Sequence, residues 1–541
     1  MIFLLEFEVH DGTSLSKVYL STHGMSSGPN DTPPHQHYTA RLASVGRLER
    51  SMFGNGDGVS SGTTGGASEV GFGNISVLNG AAAGLDDRID HWKDLAFRQV
   101  IIKTIATAET PFSQAATRFI GTVEQLVSTN ALEQYDLIIH DRLQNLDKPL
   151  LIHTYGGTTI SGGLFTADGD VDQKDTIKQK VWGTVHNLRV VPVNNYDLYW
   201  QTSDGPVTSQ VVYDGGVALT YDGNVGTLAA MAAVAVDGGH YVTCNALGLF
   251  RTGIAPVGTV TADVIEGTAA ADRTAAQIAR RMLAWFASMY GETLSLSSSD
   301  VAALDVLNNA QCGIVVRDTQ TGLDAIMQVL NSIGAWMLPQ SNSPTMYNVG
   351  RFDPPDDNPV ASYDFDANIG GNPQRIESGD DGKGVPVWKV VIRYDQLDTV
   401  QSAGDLFGAV TENDPVRVSY LATEWRLASA QNATVLNQYP NAPTIQIDTR
   451  LTTQAAALAE AARLLGMHGV KRDIWRIVVP MSDDPQDDPG VGEVVELTSR
   501  GGRMGLGPEP GLGETYTCLG RVDDFDDVPL LTLTLWGPRG N

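Results

Sequence analysis

The chain has 541 residues, 42% hydrophobic and 18% charged, which is enough to bury the cores of three or four domains. Its 63 acidic and 36 basic residues give a formal net charge of −27. Proteins that grip nucleic acid by its phosphates need clustered Lys and Arg, so this balance argues against that class. It is typical of an acidic soluble protein and compatible with a surface that repels DNA.

Cysteine usage and the first residues address the compartment. Cys244, Cys312 and Cys518 lie far apart and form no CxxC pair, which argues against a disulfide scaffold or a cysteine zinc site and favours a reducing compartment. The opening MIFLLEFEVH has no basic start, and Glu6 and Glu8 interrupt its apolar run, so it predicts a strand and not a signal peptide. The sequence contains no run of about 20 apolar residues, so no membrane span is predicted.

The first region, residues 1–133, is predicted to be rich in β-strands. Between two of them, Gly54 to Glu69 is a Gly/Ser-rich loop, and GLDDRIDHW predicts a short helical turn. The predicted strands lie in IFLLEFEV, KVYLST, NISVL, FRQVIIKTI and RFIGTVEQL.

The second region, residues 134–268, alternates short strands with turns. Asp-Gly pairs begin at 168, 204, 214 and 222, and Gly-Gly pairs begin at 215 and 238. Short strands at this spacing predict a barrel or a sandwich. The strands lie in YDLIIHDRL, TVHNLRVVPV, DLYWQTS, QVVYDGGVALT and GHYVTC.

The third region, residues 269–384, introduces helices and is predicted to be a small α/β module. A helix is expected from Asp272 to Tyr290, and a second apolar stripe ends at Gly334. AWMLPQSNSPTMYNV then predicts two strands around a polar turn, and RFDPPDDNP predicts a loop. The two apolar faces consist of Ile278, Met282, Trp285, Phe286 and Met289, and of Leu323, Ile326, Met327, Leu330 and Ile333.

The fourth region, residues 385–541, is predicted to be strands with one helix. The helix lies in TTQAAALAEAARLLGMHG, with Thr452 or Thr453 as its N-cap and Gly466 or Gly469 as its stop. The last strand, LLTLTLW, alternates Leu and Thr and predicts one buried and one wet face. The other strands lie in VWKVVIRY, RVSYLATEWRL, TIQIDT, DIWRIVVP, GEVVELTS and TYTCLGRVDDF.

Three histidines near the start are a candidate metal site. His35 and His37 form an H-x-H pair that would share one face of a strand, and His23 lies across a turn. The competing interpretation is a loop after Pro33 and Pro34 that leads into a strand.

Two further motifs match patterns that their context rejects. Gly58 to Gly62 fits G-x-S-x-G with Ser60 as nucleophile, but no apolar strand precedes it and no helix follows. Asp168, Asp170, Asp172 and Asp175 begin with calcium-loop spacing, but Gln173 and Gln179 replace the required Gly and Glu. A looser cation site remains open there, and a solvated turn is the preferred interpretation.

Two acidic runs are candidates for paired carboxylates in glycoside cleavage. No Trp cluster accompanies them, and adjacent Asp residues are usually solvated loops. The Gly-rich GGRMGLGPEPGLG is not G-x-G-x-x-G, so a dinucleotide site is unsupported. We therefore expect no catalytic, cofactor-binding or metal residues. The runs consist of Asp483, Asp484, Asp487 and Asp488, and of Asp523, Asp524, Asp526 and Asp527.

The segment VYLSTHGMSSGPNDTPPHQHYTARLASVGRLERSMF resembles the N-terminal segment of tail-tip proteins of long-tailed phages and gene transfer agents. Blocks of the second region, such as VWGTVHNLRVVPVNNYDLYWQTSDGPV, and the C-terminal order of Ala-rich helix, strand and GEVVEL resemble the same proteins. The matching positions are Ser21-Thr22, Asp31-Thr32-Pro33, Tyr38, Arg41, Glu49-Arg50 and Phe53.

This resemblance implies a baseplate hub at the tail tip of a siphophage, a virion protein made in the host cytoplasm. Such hubs contain two tube-like β-barrels per chain, so the implied fold is multidomain and β-rich (α+β), with two barrels flanking the α/β module. A homotrimeric ring would then present six barrels to a six-fold tube, and its partners would be the distal tail protein, the tail tube, the tape measure protein and other tip or fibre proteins. DNA would pass through an acid-lined lumen without specific binding.

Two other interpretations stay open. One is a tip protein that binds or degrades host glycans, with the acidic runs and the loop around Ser60 as candidates. The other is an unrelated multidomain β-rich binding protein. Binding or degradation of host polysaccharide by the purified protein would distinguish the first from the hub, and a stable trimer would favour the hub over the second.

Overall fold

The computed structural model describes residues 1–10, 12–52, 72–79, 95–129, 133–160, 167–364, 373–376, 385–498, 514–525 and 528–538. Strands dominate these residues, and they form two large sheets, two five-stranded sheets and two three-stranded sheets. The expected β-rich fold with a small α/β module is confirmed. No helix in the described part is long and apolar enough to cross a membrane.

The chain begins in a nine-stranded sheet, here called the N-terminal sheet. Its first strand in the sequence, Ile2–His10, is buried on both faces because Phe3, Leu5 and Phe7 point to one core while Ile2 points to another. The strand order is Met25–Ser26, His37–Ala40, Leu15–Ser21, Ile2–His10, Gln99–Ile105, Ala116–Thr129, Gln134–Asp141, Phe72–Leu78 and Leu42–Ser44.

The C-terminal sheet lies against the N-terminal sheet and shares its core. Phe3 meets Phe525 edge-on at 5.2 Å between ring centroids, and Leu531, Leu533 and Leu535 of the last strand are buried in the same cluster. The strand order is Ala361–Asp364, Val494–Thr498, Glu514–Asp524, Leu530–Pro538, Arg472–Pro480 and Gln374–Ile376.

One strand connects the two ends of the chain directly. Arg47–Ser51 pairs antiparallel with Glu514–Asp524, so a strand of the first region extends the C-terminal sheet. Because the two sheets also share a core, residues from the first and last regions form one packed unit. The division of the chain into 1–133, 134–268, 269–384 and 385–541 stays a prediction.

A β-sandwich lies between these parts of the sequence. Its two five-stranded sheets enclose a core that includes Val185, Val212, Tyr241 and Phe250. One sheet has the order Val217–Ala218, Ser209–Asp214, Val260–Ile265, Lys180–Arg189, Gly313–Val316, and the other has Val191–Asn194, Tyr199–Gln201, Leu249–Thr252, His240–Cys244, Thr220–Asn224.

The α/β module follows the predicted periodicity closely. The helix Ala275–Tyr290 starts three residues later than expected because Thr274 caps it, and Gly291 ends it in the left-handed region with φ 66°. Gly334, with φ 69°, ends the second stripe as predicted. The module contains the helices Ala275–Tyr290, Ser298–Leu307 and Gly322–Leu330, and a sheet in the order Ser295–Leu296, Met346–Arg351, Ala335–Pro339.

Two local predictions are wrong. RVSYL is not a strand but part of the helix Pro415–Leu421, because Asp414 caps it and Pro415 occupies its first position. The Thr face of the last strand is not wet along its length, since Thr534 and Trp536 are 3% exposed, and Trp536 packs against Phe352.

The remaining helical elements are short, apart from the predicted C-terminal helix. That helix runs from Gln454 to His468, with Thr453 as its N-cap and Gly469 after its last turn. The short helices are Leu228–Ala233, Gly408–Thr411 and Ala433–Gln438, and the 3-10 turns are Phe112–Gln114, Arg142–Leu146, Val171–Gln173, Asn245–Leu247, Ala270–Arg273, Asn331–Ile333, Ala403–Asp405 and Pro485–Asp487.

Candidate functional site: an open sheet backed by one helix

A three-stranded sheet in the fourth region, here called the open sheet, is the candidate assembly site. Its central strand is Lys389–Tyr394. Arg426–Gln431 pairs with it antiparallel and Thr444–Asp448 pairs with it parallel. The two outer strands therefore present edges of different direction and sequence.

One face of the open sheet is covered by the helix Gln454–His468. Val390 and Ile392 alternate inward from the central strand and are fully buried. They share a core with Ala461 and Leu464 of the helix. This face is thus fixed by ordinary sheet-on-helix packing.

The other face of the open sheet is exposed and mixed in character. Leu427 is 63% exposed. Register places Leu427 beside Arg393, and Arg393 beside Asp448. Lys389 lies further along the same face. This face therefore carries two basic side chains, Lys389 and Arg393, and one acidic side chain, Asp448.

Arg393 is the best-positioned charge on this face. Its guanidinium is 3.0 Å from the Asp448 carboxylate and lies over the Trp425 ring at 4.6 Å from the centroid. Because the Asp448 side chain is 54% exposed, this ion pair stays in contact with solvent. It orders the surface and adds little to stability.

Both outer strands of the open sheet lack a second strand partner among the described residues. Each edge therefore presents backbone donors and acceptors that a further strand can satisfy. The sandwich repeats the feature at Thr220–Asn224, which ends one of its two sheets. Within the described ranges, the sandwich and the open sheet thus each carry at least one edge without a strand partner.

The three candidate histidines do not form a metal site. His35 lies before the strand, with φ 51°, so it does not share a strand face with His37 as expected. His37 Nδ1 is 2.9 Å from Ser26 Oγ. The alternative interpretation, a loop leading into a strand, is confirmed. No group of three or more His, Cys, Asp or Glu side chains in the described part is arranged to hold a metal ion.

The acidic turn at Asp168 is held by local hydrogen bonds. Asp168 pairs with Lys178 at 3.1 Å. Burial alone would raise the pKa of Asp168, but the Gly156 backbone and Lys178 hold it below the ordinary value. Asp170 caps the turn Val171–Gln173, while Asp172 and Asp175 are exposed. The solvated-turn interpretation is confirmed for these last two residues.

Two residues of the acidic runs, Asp488 and Asp523, are buried and not solvated. Asp488 is 7% exposed and Asp523 is 0% exposed. Arg118 lies 2.6 Å from Asp488, while Arg50 and Arg521 lie 2.6 and 2.5 Å from Asp523. The solvated-loop expectation is therefore wrong for both, and it holds for the exposed Asp483, Asp484 and Asp487.

These residues form one ionic network between the two large sheets. Arg521 also reaches Asp488 at 3.5 Å, so the charges alternate in the order Arg118, Asp488, Arg521, Asp523, Arg50. Burial alone would raise the pKa of Asp523, but Arg521 and Arg50 outweigh it and hold that pKa below its ordinary value. The network fastens the first region to the last.

Several predicted motifs lie outside the described residues. They are Ser60 and its G-x-S-x-G neighbours, the helical turn in GLDDRIDHW, the Gly-rich stretch near the C-terminus, and Asp526 and Asp527. Asp524, by contrast, is described and pairs with Arg47 at 2.7 Å. The three cysteines are free and buried.

Sequence reasoning missed the network and the free edges. Arg118, at 2% exposure, is among the largest buried side chains, and its position inside the apolar strand RFIGTVEQL was the one available signal. Its acidic partner, Asp488, is 370 residues away in the sequence, so no local pattern indicates the pair.

Comparisons with known proteins give structural matches only. No family model matches the chain. No curated protein matches it at a significant level. Solved structures of tail proteins do align with it at low identity.

Three of these structures illustrate the likeness. The tail protein from Neisseria meningitidis MC58 covers 99% of this chain and 96% of its own, with 9% identity and a TM-score of 0.40. The 43 kDa tail protein of prophage MuSo2 from Shewanella oneidensis covers 99% and 98%, with 9% identity and a TM-score of 0.42. A chain of a native gene transfer agent virion covers 72% and 89%, with 14% identity and a TM-score of 0.38.

Proposed function

We propose that this chain is a structural protein of a phage-like tail, the baseplate hub at the tip of a long non-contractile tail, and that it acts as a homotrimeric ring without catalysis. The observation that carries the proposal is the open sheet, which has one face packed, one face exposed and two unlike edges that no strand of the described residues pairs with. The tail-tip resemblance of the N-terminal segment supports the same role.

Free edges favour assembly with further copies of the chain. A sheet edge left open in solution is a template for uncontrolled pairing, and closed assemblies remove that hazard. Arg426–Gln431 and Thr444–Asp448 differ from each other, so an edge of one kind is suited to the other kind on the next copy. Such head-to-tail contacts close into rings when the rotation permits.

The presence of two sheet-built units in each chain supports the expected match between a three-fold ring and a six-fold tube. In the part of the chain that the structure describes, the sandwich and the open sheet with its helix each offer at least one unpaired edge. Three chains would supply six such units, and each half would complete a tube-like barrel wall only within the ring. The distal tail protein, tail tube, tape measure protein and tip or fibre proteins are the proposed partners, with the tail tip of the virion as the location.

The proposed DNA channel requires a surface of the protein that lines it with acidic side chains. A bore that passes DNA should repel phosphate, and the net charge of −27 can supply this. The exposed face of the open sheet carries Lys389 and Arg393 against Asp448. We therefore propose that the acidic lining comes from other surfaces and that this face turns towards a protein neighbour.

The glycan-cleaving alternative loses two of its candidate residues. Asp488 and Asp523 are buried and paired with arginines, so neither can face a sugar. A carboxylate pair for glycosidase chemistry must flank an accessible bond. Nothing in the described residues favours that reading over assembly.

The test is solution mass combined with edge variants. Ser429→Lys and Gln446→Lys place a charge on opposite edges of the open sheet, and Gln446 and Ser429 are both exposed. The proposal predicts a trimer for the parent and monomers for each variant, because each ring contact uses one edge of each kind. Gln486→Lys, at an exposed position away from the sheet, should remain trimeric.

Mixing the two variants gives the sharpest outcome. A Gln446→Lys chain keeps an intact Arg426–Gln431 edge, and a Ser429→Lys chain keeps an intact Thr444–Asp448 edge. One chain of each kind can therefore form a single contact, and mass measurement should show dimers that cannot close into a ring. If Ser429→Lys alone breaks assembly and Gln446→Lys does not, the contact joins like edges and the ring is refuted. A monomeric parent chain also refutes it.

A further inference from the structure

Residues 395–425, here called the strap, connect two neighbouring strands of the open sheet by a long excursion. Lys389–Tyr394 and Arg426–Gln431 pair antiparallel, and a short turn would be enough to join them. The strap instead leaves the sheet, forms the helices Gly408–Thr411 and Pro415–Leu421, and lies against the sandwich.

The first attachment of the strap to the sandwich is apolar. Leu406, Val410 and Leu421 form a small cluster that Val217 of the sandwich joins. Gly215 permits the close approach, because a Cβ there would lie 2.9 Å from the ring of the strap's Phe407. The cluster is small, so it holds the strap weakly by itself.

The second attachment is a polar clasp around His186, which lies on the sandwich strand Lys180–Arg189. His186 Nδ1 is 2.6 Å from Asp395 Oδ1, and Tyr420 donates to Asp395 Oδ2 at 3.0 Å. Next to it, Asn187 Nδ2 donates to the Thr399 carbonyl at 2.6 Å, and the Thr399 amide returns a bond to Asn187 at 3.1 Å.

We propose that the strap is a pH-dependent fastening, closed on the sandwich while His186 carries a proton and loosened when that imidazole becomes neutral. The device rests on the contacts between strap and sandwich and does not depend on the hub assignment. Opening would expose Gly215 and Val217 of the sandwich, together with the strap residues Leu406, Phe407 and Val410 that lie against this part of it.

The charges around His186 favour its protonated form on balance. Asp395 faces it from the strap, and Asp263 faces it from the neighbouring strand Val260–Ile265, while Arg426 opposes them from the open sheet. Asp398 and Arg450 line a cavity of about 30 Å³ beside the clasp. That volume admits about one water molecule, so the site can be hydrated as it opens.

The sign of the pH dependence follows from these groups. Burial alone lowers the pKa of His186, but the hydrogen bond and charge of Asp395 outweigh it, and the pKa is raised above the ordinary value. A raised folded-state pKa stabilises the closed strap fully below the ordinary histidine pKa of about 6.5. The contribution is lost as the pH rises through the folded-state pKa.

Amide hydrogen exchange of the full chain measures directly whether the strap is attached to the sandwich. The Thr399 amide donates to Asn187 and the Phe407 amide donates to Gly215, so both report contacts between strap and sandwich. After correction for intrinsic exchange rates, their protection should fall several-fold between about pH 5.5 and about pH 8.5. The Val212 amide, within the sandwich core, should change much less.

Three variants separate titration from packing. His186→Asn keeps a donor but cannot titrate, and Asp395→Asn removes the charge while tolerating the φ of 49° at that position. Both should give pH-independent strap protection. Tyr420→Phe should lower protection equally at both pH values, because it removes a hydrogen bond and no titrating charge.

His240→Asn is the matched control, since His240 Nδ1 makes a similar 2.7 Å contact with Asp222 away from the strap. It should leave the pH response of the strap unchanged. The proposal is overturned if Thr399 and Phe407 are equally protected at both pH values in the parent chain, or if His186→Asn retains the full response. A response abolished by His240→Asn would overturn it as well.

Discussion

The ionic network between the two large sheets makes the most quantitative prediction. Asp523 is 0% exposed, and its two oxygens lie 2.5 and 2.6 Å from Arg521 and Arg50. Asp523→Asn keeps the side-chain volume but leaves two guanidinium groups facing a neutral amide. Breaking a buried pair in this way costs about 3–5 kcal/mol of unfolding free energy.

Asp448→Asn is the matched control, because it removes a carboxylate from a single arginine at the surface. The Asp448 side chain is 54% exposed and Arg393 is 27% exposed. Exposed pairs contribute about 0–1 kcal/mol. The control also removes one negative charge, so a general charge effect would appear in both variants.

Urea denaturation followed by tryptophan fluorescence measures the difference. Trp475 lies in the core shared by the two sheets and reports their separation. We expect the midpoint for Asp523→Asn to fall clearly below that of Asp448→Asn at unchanged slope. Equal midpoints for the two variants would refute the view that this network fastens the ends of the chain together.

Three further predictions follow from single residues. Because the pKa of Asp523 is held below its ordinary value, its stabilisation is present above about pH 4 and lost as the pH falls further, so acid titration of Asp523→Asn should be flatter than that of the parent chain. Thr453→Ala removes the cap bond to the Ala456 amide and should cost about 1 kcal/mol in denaturation, whereas Thr452→Ala should cost less because its hydroxyl bonds only the Gln311 carbonyl. Gly215→Ala places a Cβ 2.9 Å from the Phe407 ring and forces alanine to adopt the φ of 53° that Gly215 has, so it should raise exchange at the Phe407 amide while the N-terminal sheet stays protected.

Local patterns predicted most of the elements. The helix Ala275–Tyr290 and the C-terminal helix were recognisable because their caps and apolar stripes lie within a few residues. The strand prediction for RVSYLATEWRL is wrong over RVSYL, although Val418 and Tyr420 are residue types that favour strands. The Asp414-Pro415 pair, separated from it by Val416, is the stronger signal, because it predicts a helix start.

Long-range features escaped the sequence for a physical reason. Arg50 and Asp523 are separated by 473 residues, and His186 and Asp395 by 209, so no local periodicity connects them. Whether an Asp in an acidic run is solvated or buried depends on which arginine the fold brings to it. The free edges of the open sheet likewise emerge only when the strand pairs are known.

The mass of the purified chain in solution, measured by light scattering or native mass spectrometry across a range of concentrations, tests the trimeric ring most directly. A closed ring should give a species of three chains that does not grow at higher concentration, and a mixture of Ser429→Lys and Gln446→Lys chains should stop at two. A parent chain that stays monomeric, or one that lengthens without limit, would contradict it.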